Sequence, residues 1–79
     1  MRYTYKNIQE FMNYKTWSNK KKIDTLLEID CSLYAHLGTD STKAEKEEVK
    51  RKSIDIYRTI KTLDKKMGDL FLYSEDLKQ

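Results

Sequence analysis

The pattern of apolar and polar residues predicts two long helices. In the first stretch, apolar residues recur at the spacing of one helix face: Ile23, Leu26, Leu27, Leu33, Tyr34 and Leu37. Ser18 precedes this stretch and is the predicted N-cap, because its hydroxyl can accept a hydrogen bond from a free amide of the first turn. We therefore expect a helix over residues 19–37.

The second stretch has a longer pattern, whose positions alternate by four and three residues: Val49, Ser53, Ile56, Ile60, Leu63 and Met67. This spacing is typical of helices that pack side by side in a coiled coil. Ser41 or Thr42 is the predicted N-cap, and the helix is expected to span residues 43–67. Gly38 and Gly68 each follow one of these runs and are interpreted as helix-ending glycines.

These elements predict an all-α fold, in which two antiparallel helices joined by the polar turn 38–42 form a hairpin. The hairpin leaves an arm (residues 1–17) and a tail (residues 68–79) at the two ends. Residues 1–79 as a whole are expected to form a single small domain.

The two ends of the chain are less regular than the hairpin. In the arm, Thr4 could cap a short helix. The inner face of that helix would carry Ile8, Phe11 and Met12. An extended strand is the alternative, because Tyr3 and Tyr5 alternate with their neighbours as strand residues do. The tail either continues the second helix through Gly68 or docks as a separate apolar segment.

One charged residue lies on the apolar stripe of the first predicted helix. A projection at about 100° per residue places Asp30 near the middle of that stripe. In the hairpin it faces Ser53, the small polar residue on the second seam. The two are predicted to form a buried polar layer that sets the helix register, with Lys50 or Lys52 as a further member. Alternatively, Asp30 faces an oligomer axis or a basic residue of a partner.

Composition limits how much of this fold the chain can bury by itself. It has 79 residues, of which 38% are hydrophobic and 37% are charged, and one core of this size gives only a few kcal/mol of stability. Large apolar residues are concentrated at the two ends, and those expected to contact a partner subunit are Tyr3, Tyr5, Phe11, Trp17, Leu70, Phe71 and Tyr73. The alternative is that the arm and the tail fold back and enlarge the core of the hairpin.

The charges are nearly balanced, with 16 Lys and Arg against 13 Asp and Glu and a formal net charge of +3. Four basic residues share the outer face of the second predicted helix: Arg51, Arg58, Lys61 and Lys65. Such a stripe could contact phosphates or an acidic protein surface, although a lysine-rich face is also the ordinary solvated side of a helix. Other protein subunits are the favoured partners, and nucleic acid is the alternative.

No group of residues in the sequence has the spacing of a catalytic or metal-binding motif. The one histidine, His36, is out of phase with the one cysteine, Cys31, and a zinc site needs several such ligands. We therefore expect no enzyme activity, no cofactor and no metal. No apolar run has the length of a signal-peptide core or of a transmembrane helix, so the chain is not expected to be secreted or to span a membrane.

Residues 17–64 resemble small uncharacterised proteins encoded by tailed bacteriophages. The motifs that carry the resemblance are Lys22-Ile23-Asp24 with Leu26-Leu27, Leu37-Gly38-Thr39-Asp40-Ser41-Thr42, and Ile56-Tyr57-Arg58. The resemblance implies a setting in the virion or the host cytoplasm, where small helical proteins often serve as virion parts or as inhibitors of host machinery.

Patterns and resemblance together favour a non-enzymatic assembly protein, present in many copies in a larger complex such as a phage virion. The alternative is a small regulatory module that binds nucleic acid or a host protein through its basic helix face.

Overall fold

The computed structural model describes the backbone of residues 3–77 and the side chains of residues 3–74. A 3-10 turn at Tyr5–Asn7 is followed by α1 (Ile8–Met12), α2 (Asn19–Ala35), α3 (Lys43–Leu63) and α4 (Lys65–Leu77). The described residues contain no strand, so the predicted all-α class is confirmed. The prediction of a two-helix hairpin is wrong, because residues 3–77 contain four α-helices.

The central pair, α2 and α3, forms where two long helices are predicted. The Ser18 hydroxyl accepts a hydrogen bond from the amide of Lys21 at 3.1 Å, which caps α2. Thr42 caps α3: its hydroxyl accepts from the amide of Glu45 at 3.1 Å, and its own amide donates to the Glu45 carboxylate at 2.9 Å. These bonds satisfy amides that the first turn of a helix leaves free, so both starting points were readable from local sequence.

The second predicted helix, over residues 43–67, breaks at Asp64. This residue has an extended backbone, with φ −148° and ψ 97°. Its carboxylate accepts a hydrogen bond from the amide of Met67 at 3.1 Å, and its carbonyl accepts from the amide of Gly68 at 3.0 Å. Asp64 thus ends α3 and caps α4, and the chain reverses direction there so that α4 packs against α3.

Gly68 lies inside α4, so its interpretation as a helix-ending glycine is wrong. A Cβ atom at this position would lie 2.4 Å from the Cα of Lys61 in α3. Glycine is therefore required because the backbones of α3 and α4 nearly touch at this crossing. Gly38 lies beyond the end of α2, and a Cβ there would meet no heavy atom nearer than 4.0 Å.

The arm forms the 3-10 turn and α1, which favours the predicted short helix over the strand. The amide of Thr4 donates to the side chain of Asn7 at 2.9 Å, and the amide of Asn7 donates to the carbonyl of Thr4 at 2.8 Å. Ile8 and Phe11 of α1 are buried, and Met12 is half-buried. α1 therefore packs its predicted inner face against the long helices.

The core combines residues from α1, α2 and α3. Its buried apolar members are Ile8, Phe11, Ile23, Leu26, Ile29, Ile56, Tyr57 and Ile60. Ile29 and Tyr57 were not among the predicted inward positions, whereas Tyr34 was, and it is 38% exposed. The buried face of α2 is rotated toward Ile29 because α2 packs against α1 as well as α3. A two-helix prediction does not include the contact between α2 and α1.

Candidate interaction surfaces

The aromatic residues of the arm contact one another. Phe11 stacks on Trp17 with ring centroids 5.4 Å apart, and the Tyr3 ring meets both of them edge-on, at 5.5 and 5.2 Å. Tyr14 adds a further edge contact to Trp17 at 5.3 Å, and the Lys21 ammonium lies 4.4 Å from the centre of the Trp17 ring. Three of the four arm residues predicted to contact a partner, Tyr3, Phe11 and Trp17, thus belong to an intramolecular cluster, in which Phe11 is 0% exposed.

Tyr5 joins the arm to α3. Its hydroxyl donates a hydrogen bond to the Asp55 carboxylate at 2.8 Å, and the Lys52 ammonium lies 5.3 Å from its ring centre. The hydrogen bond to Asp55, with partial burial and the negative charge of Asp55, raises the pKa of the Tyr5 hydroxyl above its ordinary value. Tyr5 is half-buried, so it ties the arm down rather than projecting toward a neighbour.

The tail is a helix with two different faces. On the inner face, Phe71 stacks on Tyr57 with ring centroids 5.1 Å apart and an angle of 15° between the planes. Met67 and Leu72 also pack against the core. On the outer face, Leu70 and Tyr73 are each 64% exposed. We call these two exposed residues the α4 ridge; they follow one another at the three-residue spacing of a single helix side.

The predicted polar layer of Asp30 and Ser53 is buried, and its hydrogen bond comes from a third residue, Tyr57. Asp30 is 8% exposed and Ser53 is 0% exposed. The hydroxyl of Tyr57 donates to Oδ2 of Asp30 at 2.8 Å, whereas Oδ1 of Asp30 and Oγ of Ser53 have no hydrogen-bond partner among the described residues. Asp30 and Ser53 are therefore both buried, but no hydrogen bond joins them. Tyr57 stands one turn after Ser53 on the same face, a spacing that could have identified it as the donor.

Three of the four basic residues of the predicted stripe form ion pairs with carboxylates of the same chain. Arg51 pairs with Glu48. Lys61 and Lys65 both pair with Asp69, at 2.9 and 3.4 Å, and the hydrogen bond from Lys61 is the main cause that lowers the pKa of the Asp69 carboxyl.

Arg58 is the exception, since it has no ion pair within residues 3–74. Lys65 belongs to α4, so the break at Asp64 separates it from the rest of the stripe. Ile54, an apolar residue of α3, is half-buried on the side of that helix where Tyr57 and Lys61 meet α4.

An open groove of about 740 Å³ separates the arm from α3; we call it the arm groove. Its apolar lining comes from Ile8 and Met12, and two cationic residues, Lys6 and Arg58, also line it. The hydrogen-bonded pair of Tyr5 and Asp55 is part of its wall. The hydroxyls of the lining threonines, Thr59 and Thr62, donate to carbonyl oxygens of α3 at 2.9 and 2.6 Å. The cationic side chains are therefore the groups best suited to bind an anion here.

A second opening of about 450 Å³ lies near the 38–42 turn. Its apolar wall consists of Leu33, Leu37 and Val49, which are half-buried although all were predicted to face inward. The arm contacts α3 through Tyr5, near Lys52 and Asp55. It therefore does not cover the end of the α2–α3 pair that lies next to the 38–42 turn.

The described side chains contain no group of three or more His, Cys, Asp or Glu that could hold a metal ion. His36 caps the end of α2 with its Nδ1 atom 2.7 Å from the carbonyl of Ser32, and Cys31 is exposed. Among the helices of residues 3–77, none is long and apolar enough to cross a membrane.

The arm, the α4 ridge and the arm groove are therefore the candidate interaction surfaces of the described residues. The resemblance of residues 17–64 to small tailed-phage proteins stays a prediction. Comparison with known proteins finds no family model, no curated protein and no solved structure that matches this chain.

Proposed function

We propose that this protein is a non-enzymatic assembly protein that binds another protein subunit through the α4 ridge. The observation that carries the proposal is the 64% exposure of both Leu70 and Tyr73 on one side of α4. Aromatic and large apolar side chains dominate the buried centre of protein interfaces. The opposite face of the same helix is anchored by Phe71 on Tyr57, so the ridge is presented on a fixed element.

The resemblance of residues 17–64 to small tailed-phage proteins suggests a virion as one setting for such an assembly, in which the chain would be present in many copies. The basic-face alternative has less support. Arg51, Lys61 and Lys65 are each paired with a carboxylate of the same chain, which reduces the positive field that phosphate binding would need.

The proposal can be tested by the native mass of the tagged full-length chain in extracts of cells that produce it. We expect the chain to migrate with a mass well above its own 9.5 kDa. The double variant Leu70→Ser, Tyr73→Ser should return it to the monomer position, because the substitutions remove the exposed apolar surface and leave the face that contacts α3 unchanged.

Lys46→Ser is the matched control, since Lys46 is exposed on the first turns of α3 and remote from the ridge. It should keep the large mass. A wild-type chain that migrates as a monomer in the extract, or a double variant that keeps the large mass, would overturn the proposed function.

A further inference from the structure

The arm groove lies between the arm and one side of α3. Asp55, Arg58, Thr59 and Thr62 of α3 line it at the spacing of a single helix side, and no described residue of α4 does so. Its volume of about 740 Å³ is within the range of roughly 300–1,000 Å³ that small-molecule sites have. The groove is therefore large enough for a small organic molecule and is separate from the α4 ridge.

The lining of the groove contains two cations and one carboxylate. Lys6 comes from the arm and Arg58 from α3, and neither forms an ion pair within residues 3–74. The carboxylate of Asp55 already accepts a hydrogen bond from the hydroxyl of Tyr5 at 2.8 Å. An anion in the groove therefore meets an excess of positive charge, with one cation available from each wall.

The apolar part of the lining suits an uncharged body attached to that anion. Ile8 and Met12 line the groove, the first buried and the second half-buried. The hydroxyls of Thr59 and Thr62 donate to carbonyl oxygens of α3, so these donors are already used within the helix. Small-molecule sites combine apolar surface with a few charged groups that fix the orientation of the ligand, and the arm groove has this combination.

We propose that the arm groove binds a small organic anion, whose phosphate or carboxylate group lies between Lys6 and Arg58 and whose apolar ring or chain packs on Ile8 and Met12. The planar guanidinium of Arg58 can donate two parallel hydrogen bonds to such a group, and the ammonium of Lys6 adds a second positive charge. The bound anion joins the arm to α3, beside the hydrogen bond between Tyr5 and Asp55.

A small anion suits this surface better than a polyanion does. Nucleic acid gains affinity from a row of cations that contact successive phosphates. The other cations of the predicted stripe, Arg51, Lys61 and Lys65, are each paired with a carboxylate of the same chain. Two unpaired cations in one groove are sufficient for a single phosphate or carboxylate, but they do not form such a row.

The test titrates the isotope-labelled full-length chain with phenyl phosphate and follows the backbone amide signals by nuclear magnetic resonance. We expect the signals of the residues that line the groove to shift and to saturate with one Kd. Inorganic phosphate has the charge without the ring, and benzyl alcohol has the ring without the charge. Each should bind at least about tenfold more weakly than phenyl phosphate, because each lacks one of the two contacts. Phenylacetate, titrated in parallel, compares a carboxylate with the phosphate.

Substitutions separate the charged part of the site from its apolar part. Lys6→Gln and Arg58→Gln, at exposed positions, should each raise the Kd for phenyl phosphate by about tenfold or more, because a charge-assisted contact is lost. Met12→Gln should weaken the binding of phenyl phosphate but not that of inorganic phosphate. Asp55→Asn should lower the Kd, because it removes the negative charge of the lining.

Lys43→Gln is the matched control, since it removes one positive charge at an exposed position of α3 outside the groove lining. It should bind phenyl phosphate like the wild type. The ridge variant with Leu70→Ser and Tyr73→Ser should also bind like the wild type, because no described residue of α4 lines the groove. Circular dichroism should show that all variants keep their helices.

Three results would overturn the anion site. The first is that phenyl phosphate leaves the signals of the groove residues unshifted, including the case in which a short single-stranded oligonucleotide shifts them. The second is that Lys6→Gln and Arg58→Gln bind phenyl phosphate no more weakly than Lys43→Gln does. The third is that inorganic phosphate binds as tightly as phenyl phosphate, which would indicate exposed cations without an apolar site. Tighter binding of either phenyl phosphate or phenylacetate supports the site and identifies the preferred anionic group. None of these results depends on the mass of the chain in extracts, so the proposed function through the α4 ridge stands or fails separately.

Discussion

The arm and α4 are both rich in apolar residues, yet the fold uses them differently. In the arm, Tyr3, Phe11 and Trp17 contact one another, and Phe11 is 0% exposed. In α4, Phe71 is stacked inside, but Leu70 and Tyr73 are each 64% exposed. Aromatic content at a chain end therefore does not identify an interface, since the arm packs Tyr3 and Trp17 around the buried Phe11 whereas α4 exposes one side.

The largest effect on stability is expected when the buried ring of the arm is removed. Phe11→Ala should lower the free energy of unfolding by about 3–5 kcal/mol, because it removes a fully buried ring and leaves a cavity. Urea denaturation followed by far-ultraviolet circular dichroism measures the change. Tyr73→Ala on the exposed side should change it by no more than about 0.5 kcal/mol. Equal losses for the two variants would contradict the contrast between arm and ridge.

The next effect concerns how α4 is attached. Gly68→Ala would place a Cβ 2.4 Å from the Cα of Lys61, so α3 and α4 must move apart. We expect a net loss of about 1–3 kcal/mol, although alanine favours a helix by about 1 kcal/mol over glycine.

Gly38→Ala is the control, since its Cβ would meet no heavy atom nearer than 4.0 Å, and it should not destabilise the protein. Amide hydrogen exchange in α4 gives a local measure, and faster exchange there in Gly68→Ala alone is the expected result. Unchanged exchange and unchanged stability in that variant would rule out the close crossing of α3 and α4.

A smaller effect separates the ring of Tyr57 from its hydroxyl. Tyr57→Phe keeps the stacking on Phe71 but removes the donor to Asp30, so a buried carboxylate loses a hydrogen bond. The free energy of unfolding should fall by about 1–2 kcal/mol. Tyr14→Phe, which removes an exposed hydroxyl and keeps the ring contact with Trp17, should be neutral within about 0.5 kcal/mol. If Tyr57→Phe is equally neutral, the Asp30–Tyr57 bond does not stabilise the helix pair.

The smallest effect is the pH dependence of the arm contact. The pKa of Tyr5 is raised in the folded state from its ordinary value of 10.0, mainly by its hydrogen bond to Asp55. The neutral hydroxyl is therefore favoured in the folded protein, and the stability it contributes is present below pH 10.0 and lost as the pH rises through the folded pKa. Trp17 fluorescence should report loosening of the arm over that range.

Tyr5→Phe should reduce this alkaline change, because the group that titrates against Asp55 is removed. A profile that is identical in wild type and Tyr5→Phe would show that the Tyr5–Asp55 bond does not hold the arm.

Much of the fold was predictable, and the errors share one cause. The starts of α2 and α3 follow from Ser18 and Thr42, which act within a few residues of themselves. The break at Asp64 was missed because an aspartate near the end of a helix can either remain in the helix or cap a new one. Contact between α4 and α3, with Gly68 against Lys61, decides between these two outcomes.

The candidate surfaces were predictable only in part. The basic stripe was predicted on one helix, but the break at Asp64 places Lys65 in α4. Asp69 of α4 pairs with both Lys61 and Lys65, which a straight helix over residues 43–67 could not indicate. The buried positions of Asp30 and Ser53 followed from helix periodicity, whereas the donor Tyr57 was missed although it lies one turn after Ser53 on the same face. The arm groove had no sequence signal, because it is a space between elements distant along the chain.

The sequence by itself determined the all-α class, the two central helices and most of their inward positions, since periodicity and capping act over one or two turns. Only the tertiary structure decided that the chain turns at Asp64, that Tyr3 and Trp17 pack around the buried Phe11 and that Leu70 and Tyr73 are left exposed. Those outcomes depend on which surfaces meet when residues far apart in the chain come together. The periodicity of a single helix does not show which of these distant surfaces come into contact.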